Sequence, residues 1–227
     1  MGIVIGGGIT IGGGIRFASD GAAPGGGESG DPNLSLGTSV TWTANTMFDT
    51  WTSSSSTTTD GTNNVNQVWQ MFYAHKPLRI TSGKSGTRIG TYQSGSNSWT
   101  WAYAVSGTNN SQSNFGAVSN ITSLISASYV SGGTYTGNFN TTINIPAFRY
   151  FIIGRVTGPF YYASRTLASN RTASIGGVPY FTVINKLWKG GASSTPLTLP
   201  TQLGGTSGTW TEVVNISQVA GFLFDVP

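Results

Sequence analysis

The chain is 227 residues long, with no cysteine, one histidine and a charged fraction of only 8%, made up of 11 basic and 7 acidic side chains for a net charge of +4. These numbers exclude disulfides, thiolate metal sites, a cysteine nucleophile and a histidine-rich metal centre. An ordinary soluble domain carries about 25% charged residues, so polarity here rests on Gly, Ser, Thr and Asn, as suits subunits that pack side by side or a face that meets sugars.

Residues 1–17 are a hexad written two and a half times: Ile3-Val4-Ile5-Gly6-Gly7-Gly8, Ile9-Thr10-Ile11-Gly12-Gly13-Gly14, Ile15-Arg16-Phe17. In an extended strand both isoleucines of an Ile-x-Ile triplet point to one side, and glycine triplets permit close backbone approach. So short an array cannot bury its own isoleucines, because units of this size need stacked neighbours. The segment is therefore expected to be an assembly arm whose Ile3, Ile5, Ile9, Ile11 and Ile15 bury against equivalent residues. The competing expectation is an ordered edge strand followed by a flexible glycine leader. The spacing GGG-x-x-x-GGG meets neither phosphate-loop pattern. No basic residue precedes the apolar stretch as a secretory signal requires, and Gly6 stands where a myristoylation signal has Ser or Thr.

Residues 18–32 form a linker by composition, rich in glycine, proline and acids. A body over 33–190 follows, in which β-branched and aromatic runs predict strands at 34–42, 68–73, 78–81, 87–92, 98–105, 141–145, 148–156 and 180–187, with another at 209–216 beyond it. The only helix candidates, 120–126 and 163–168, lack a helical stripe. Two stretches read as long Ser/Thr/Asn loops, 50–66 and 107–118, of the kind that bind or stay disordered. Residues 191–227 form a C-terminal β extension, expected to dock as an extra strand pair on this body or on a neighbour. Many short strands with turn signals between them indicate an all-β fold: an antiparallel β-sandwich or jelly roll with an extended Gly-rich N-terminal arm.

Chemistry is sparse. Between Asp60 and Glu212 there is no acidic residue, while ten of the eleven basic ones lie there, so a two-carboxylate glycosidase site cannot be built in that interval. The basic residues form no tract of the nucleic-acid-binding kind, and no apolar run approaches the ~18 residues of a membrane helix. His75, followed by Lys76-Pro77, has no G-x-S-x-G elbow to serve, and Asp49 with Asp60 lacks a calcium-loop spacing. No catalytic residue, metal, cofactor, nucleic acid or membrane insertion is expected. Trp42, Trp51, Trp69, Trp99, Trp101, Trp188 and Trp210 read mostly as core. Trp51, Trp99 and Trp101, with Arg79 and Arg88, are candidate glycan-binding residues. Trp99, Trp101 and Tyr103 share one strand face by spacing, which favours a core stripe over a sugar platform.

The hexads resemble the Gly-rich openings of virion structural proteins of marine tailed phages, particularly cyanophages, over residues 1–17. The body resembles the galactose-binding-like (discoidin) sandwich at three places: Phe48-Asp49 with Trp51, Gly95-Ser96-Asn97-Ser98-Trp99, and Ala147-Phe148-Arg149-Tyr150-Phe151-Ile152-Ile153. Thr50 replaces that family's glycine and Ser94-Gly95 its Asp-Gly. Together the resemblances imply a non-enzymatic virion component, a tail fibre, spike or decoration subunit made in the host bacterial cytoplasm. Its expected partners are further copies of itself, such as a trimer, other virion proteins, and host glycans. The alternative is a carbohydrate-binding, lectin-like module.

Overall fold

Two stretches, Val68-Trp69-Gln70-Met71-Phe72-Tyr73-Ala74 and Tyr150-Phe151-Ile152-Ile153, are apolar at nearly every position, the pattern of strands covered on both faces. They form the centre of the largest sheet. The computed structural model describes residues 30–49, 57–60, 67–86, 97–105, 119–127, 134–156, 162–166, 169–190, 210–214, 216–218 and 220–227. Ile3, Ile5, Ile9, Ile11, Ile15, Trp51, Arg88 and the predicted strand 87–92 lie outside them.

The strands in chain order are β1 Thr38–Thr41, β2 Thr46–Asp49, β3 Thr57–Asp60, β4 Gln67–Ala74, β5 Leu78–Gly86, β6 Asn97–Val105, β7 Ser119–Ala127, β8 Thr134–Ile145, β9 Arg149–Val156, β10 Tyr162–Thr166, β11 Arg171–Ile175, β12 Val178–Gly190, β13 Trp210–Val214, β14 Ile216–Gln218 and β15 Ala220–Asp225. The described residues contain no helix, and the fold is all-β. An eight-stranded sheet runs β1-β11-β12-β4-β9-β6-β7, with β13 also on β12. A four-stranded sheet runs β2-β15-β5-β8, and a three-stranded one β14-β10-β3.

Two expectations need correction. The pairing is not purely antiparallel, since β1 runs parallel to β11 with Thr38 opposite Arg171 and Thr41 opposite Ser174. In keeping with the missing helical stripe, 120–126 lies in strand β7, paired with β6, and 163–166 in strand β10, paired with β3 and β14. Thr57–Asp60, inside the expected loop 50–66, is strand β3, consistent with its run of β-branched threonines.

Alternation divides the side chains of the central strands between two cores. Phe72 and Ala74 of β4, Phe151 and Ile153 of β9, and Phe181 and Val183 of β12 meet Phe48, Leu78, Ile80, Ile143, Ile145, Phe222 and Phe224 of the four-stranded sheet. Rings from both sheets interlock there: the Phe72 ring meets Phe222 edge-on at 5.9 Å and the Phe181 ring lies 4.3 Å from that of Phe224. Trp69, Met71, Tyr73, Tyr150, Ile152, Ile184 and Trp188 make the second core on the outer face, with Leu34 and Phe148 packed against it. Burying one such side chain is worth about 1.5–3 kcal/mol.

Two local devices keep this sheet in register. Gly176 and Gly177 both have positive φ, 57° and 81°, giving the two-residue turn that joins β11 to β12 with the hand a hairpin needs. On β12 the register with β4 slips between Val183 and Leu187. Gln70 is fully buried at that slip, and its Nε2 donates to the carbonyls of Ile184 (2.7 Å) and Lys186 (3.1 Å). The amide thus satisfies carbonyls that the bulge takes out of the ladder. The C-terminal stretch gives one strand to each sheet in turn, β13, β14 and β15, separated by single residues.

Candidate functional site

The densest polar chemistry of the described residues surrounds segment 30–36, the stretch that leads into β1. Asp31-Pro32-Asn33 forms a side-chain-stabilised turn: Asn33 N–H donates to Asp31 Oδ1 at 2.8 Å, and Leu34 N–H to Asp31 O at 3.2 Å. The turn is fastened to the middle of the large sheet. Tyr150 Oη donates to Asp31 Oδ2 at 2.8 Å, and Asp31 N–H donates to Tyr73 Oη at 2.9 Å. Tyr73 and Tyr150 sit opposite each other on β4 and β9, with ring centroids 4.7 Å apart. Burial, then the bond to the Asp31 carboxylate, pushes the Tyr150 hydroxyl well above the ordinary tyrosine range. Composition assigns Asp31 to the linker, yet the structure makes it a clamp.

A second chain of bonds ends on the same segment. His75 Nε2 lies 2.7 Å from Thr182 Oγ1, which lies 2.7 Å from Thr172 Oγ1, and Thr172 Oγ1 donates to Leu36 O at 2.6 Å. A carbonyl only accepts, so the Thr172 proton is committed to Leu36. Thr172 must then accept from Thr182, and Thr182 from His75. The neutral His75 is therefore the tautomer protonated at Nε2. It donates to Thr182 rather than drawing a proton from it, and Thr182 is fully buried, so this pair is no activated nucleophile. Burial, and next the Lys76 cation, lower the imidazole to about 4. Asn170 completes the fastening: its Nδ2 donates to Ser35 O, its Oδ1 accepts from Asn185 N–H, and its carbonyl accepts from Thr38 N–H.

The clamp has a measurable consequence. Tyr150→Phe, which deletes one hydrogen bond to a carboxylate, should cost about 1–2 kcal/mol and speed amide exchange at Asn33 and Leu34 ahead of the β4 amides. Unchanged exchange at those two positions would show that the turn stands without the sheet.

Of the glycan candidates, Arg79, Trp99 and Trp101 fall on described strands, and Trp51 and Arg88 lie outside the described residues. Arg79, on β5 of the four-stranded sheet, makes an ion pair with Asp225 directly across on β15. That bond, with the Val226 N–H, holds the Asp225 carboxyl below the usual carboxylate range. Trp99 and Trp101 lie on β6 of the other sheet, Trp101 opposite Arg155 of β9. Tyr103 and Val105, two and four positions beyond Trp101, pack against the main core. Asp49 and Asp60 fall in strands of different sheets. Sequence reasoning missed Asp31, Tyr73, Tyr150, Thr172 and Thr182 as a group. The one legible signal was the Asp-Pro-Asn turn itself.

Compared with known proteins, the chain matches no protein-family model and no curated protein.

Proposed function

We propose that this chain is a non-enzymatic structural subunit of a phage virion, of the tail-fibre, spike or decoration kind, whose residues 1–17 join it to further copies or to other virion proteins. The finer architecture in this reading is a jelly-roll-like sandwich with an extended arm. The crossing of consecutive strands between the two main sheets, β1 to β2, β4 to β5, β7 to β8 and β8 to β9, suits it.

The observation that carries the reading is the clamp at Asp31. An arm that holds a particle together must pass its load to a folded core, and the segment following the hexads is hydrogen-bonded to the central strands of the largest sheet. The low charge of the whole chain suits close subunit packing. Host-glycan contact, where it occurs, belongs to the loops rather than to Arg79, whose guanidinium is held by Asp225.

The test is association. Replacing Ile9 and Ile11 together by Asp puts two charges into a strand that must be buried, so the variant should run as a monomer in size-exclusion chromatography with light scattering while the parent chain runs as an oligomer. A variant that associates like its parent would remove residues 1–17 from the interface.

A further inference from the structure

The eight-stranded sheet ends on one side in β1, and among the described residues β1 pairs only with β11. The four-stranded sheet ends on that side too, in β2, the next strand along the chain; on the far side β7 and β8 adjoin. Thr38 N–H donates to Asn170 O and Trp42 N–H to Ser174 O, both at 2.8 Å. Alternate N–H groups of a strand point to opposite sides, so Val40 also turns toward β11 while Ser39 and Thr41 turn outward. Thr38, Ser39 and Thr41 are exposed. The sequence Thr-Ser-Val-Thr has no charge, no proline and no register shift, the devices that ordinarily protect an edge.

Of the exposed large hydrophobic side chains among the described residues, one adjoins this edge. Leu36, 43% exposed, stands just before β1, whereas Val178, 45% exposed, opens β12, two strands in from the edge.

We propose that β1 is the acceptor edge for the Gly-rich arm of a second copy of this chain, with an Ile-x-Ile triplet added as a strand outside Thr38–Thr41 and a flanking isoleucine covering Leu36. This deepens the reading of residues 1–17 as an assembly arm and rests on it. Residues 1–15 carry no charged side chain, so they suit an uncharged edge with an apolar residue at its start. Residues 16–29 can extend about 45–50 Å, enough to reach a neighbour. The arm repeats its triplet, and a repeated donor matches several copies better than it matches its own body.

Thr41→Pro tests this in the full-length chain, because it removes an outward N–H and leaves the Val40 and Trp42 bonds to β11 in place. By sedimentation it should weaken association about tenfold or more, the worth of one or two backbone hydrogen bonds, with melting shifted by only a few degrees. Deleting residues 1–17 should dissolve the oligomer. If deletion leaves the oligomer intact, the assembly reading fails and this inference with it. If deletion dissolves it but Thr41→Pro associates like the parent, only the acceptor edge is wrong. Should Thr41→Pro unfold, the absence of cysteine allows a clean second measurement: Ile9→Cys and Thr41→Cys chains, mixed and oxidised, should form disulfide-linked heterodimers. A double variant that links only within itself would seat each arm on its own body and overturn the proposal, as would no link in either case.

Discussion

Gly154→Ala is expected to destabilise the fold by about 3 kcal/mol, at the upper end of the cost of overpacking a core. Gly154 on β9 lies opposite Trp69 on β4, and a Cβ there would stand 2.2 Å from Trp69 Cδ2 and Cε3. Trp69 is fully buried in the outer core, so the indole has nowhere to move. For a chain of this size the melting temperature should fall by roughly 6–12 °C. The pair should also be coupled. Trp69→Leu alone leaves a cavity, but in its presence Gly154→Ala should cost about 1–2 kcal/mol less than in the parent. A Gly154→Ala variant as stable as the parent would mean that the indole does not lie over this residue.

The second large effect is acid lability through His75. In the folded chain burial and Lys76 lower the imidazole from 6.5 to about 4. As pH falls the unfolded chain takes up this proton first, so the contribution of neutral His75 is complete above pH 6.5 and drains away as pH falls toward 4. At 1.36 kcal/mol per pH unit of pKa difference the full loss is about 3 kcal/mol, an upper figure because the ring is only partly enclosed. Gln in place of His75 keeps an N–H to donate to Thr182 and does not titrate. Urea unfolding at pH 7 and pH 4 should therefore show the parent losing more stability than His75→Gln, with carboxylates common to both cancelling in the difference. Equal losses would show that His75 titrates alike in both states.

Much of the sheet core was readable because its central strands are apolar on both faces: Gln67–Ala74 and Arg149–Val156 lie within a residue of the runs that predict them. The strands that escaped prediction are those made by their partners. Arg171–Ile175 buries Arg171, Thr172 and Ser174, so its hydrophobic pattern is erased, and only Gly176-Gly177 announces the hairpin it belongs to. Ser119–Ala127 and Tyr162–Thr166 are mostly Ser, Thr, Asn and Ala, which are strands only once a ladder is offered. The clamp was hidden for a related reason. Asp31 stands among glycines and prolines, and its role depends on two tyrosines 42 and 119 residues away. Spacing within a sequence carries no trace of such a contact. The parallel pairing of β1 was equally invisible, since it joins segments 133 residues apart by register, as 171 minus 38 shows.

Native mass spectrometry of the full chain beside residues 18–227, which retain Asp31 and both tyrosines, bears most directly on the arm. Oligomers of the full chain and monomers of the shortened one are the predicted result. The same oligomeric state for both would contradict an assembly role for the Ile-Gly hexads.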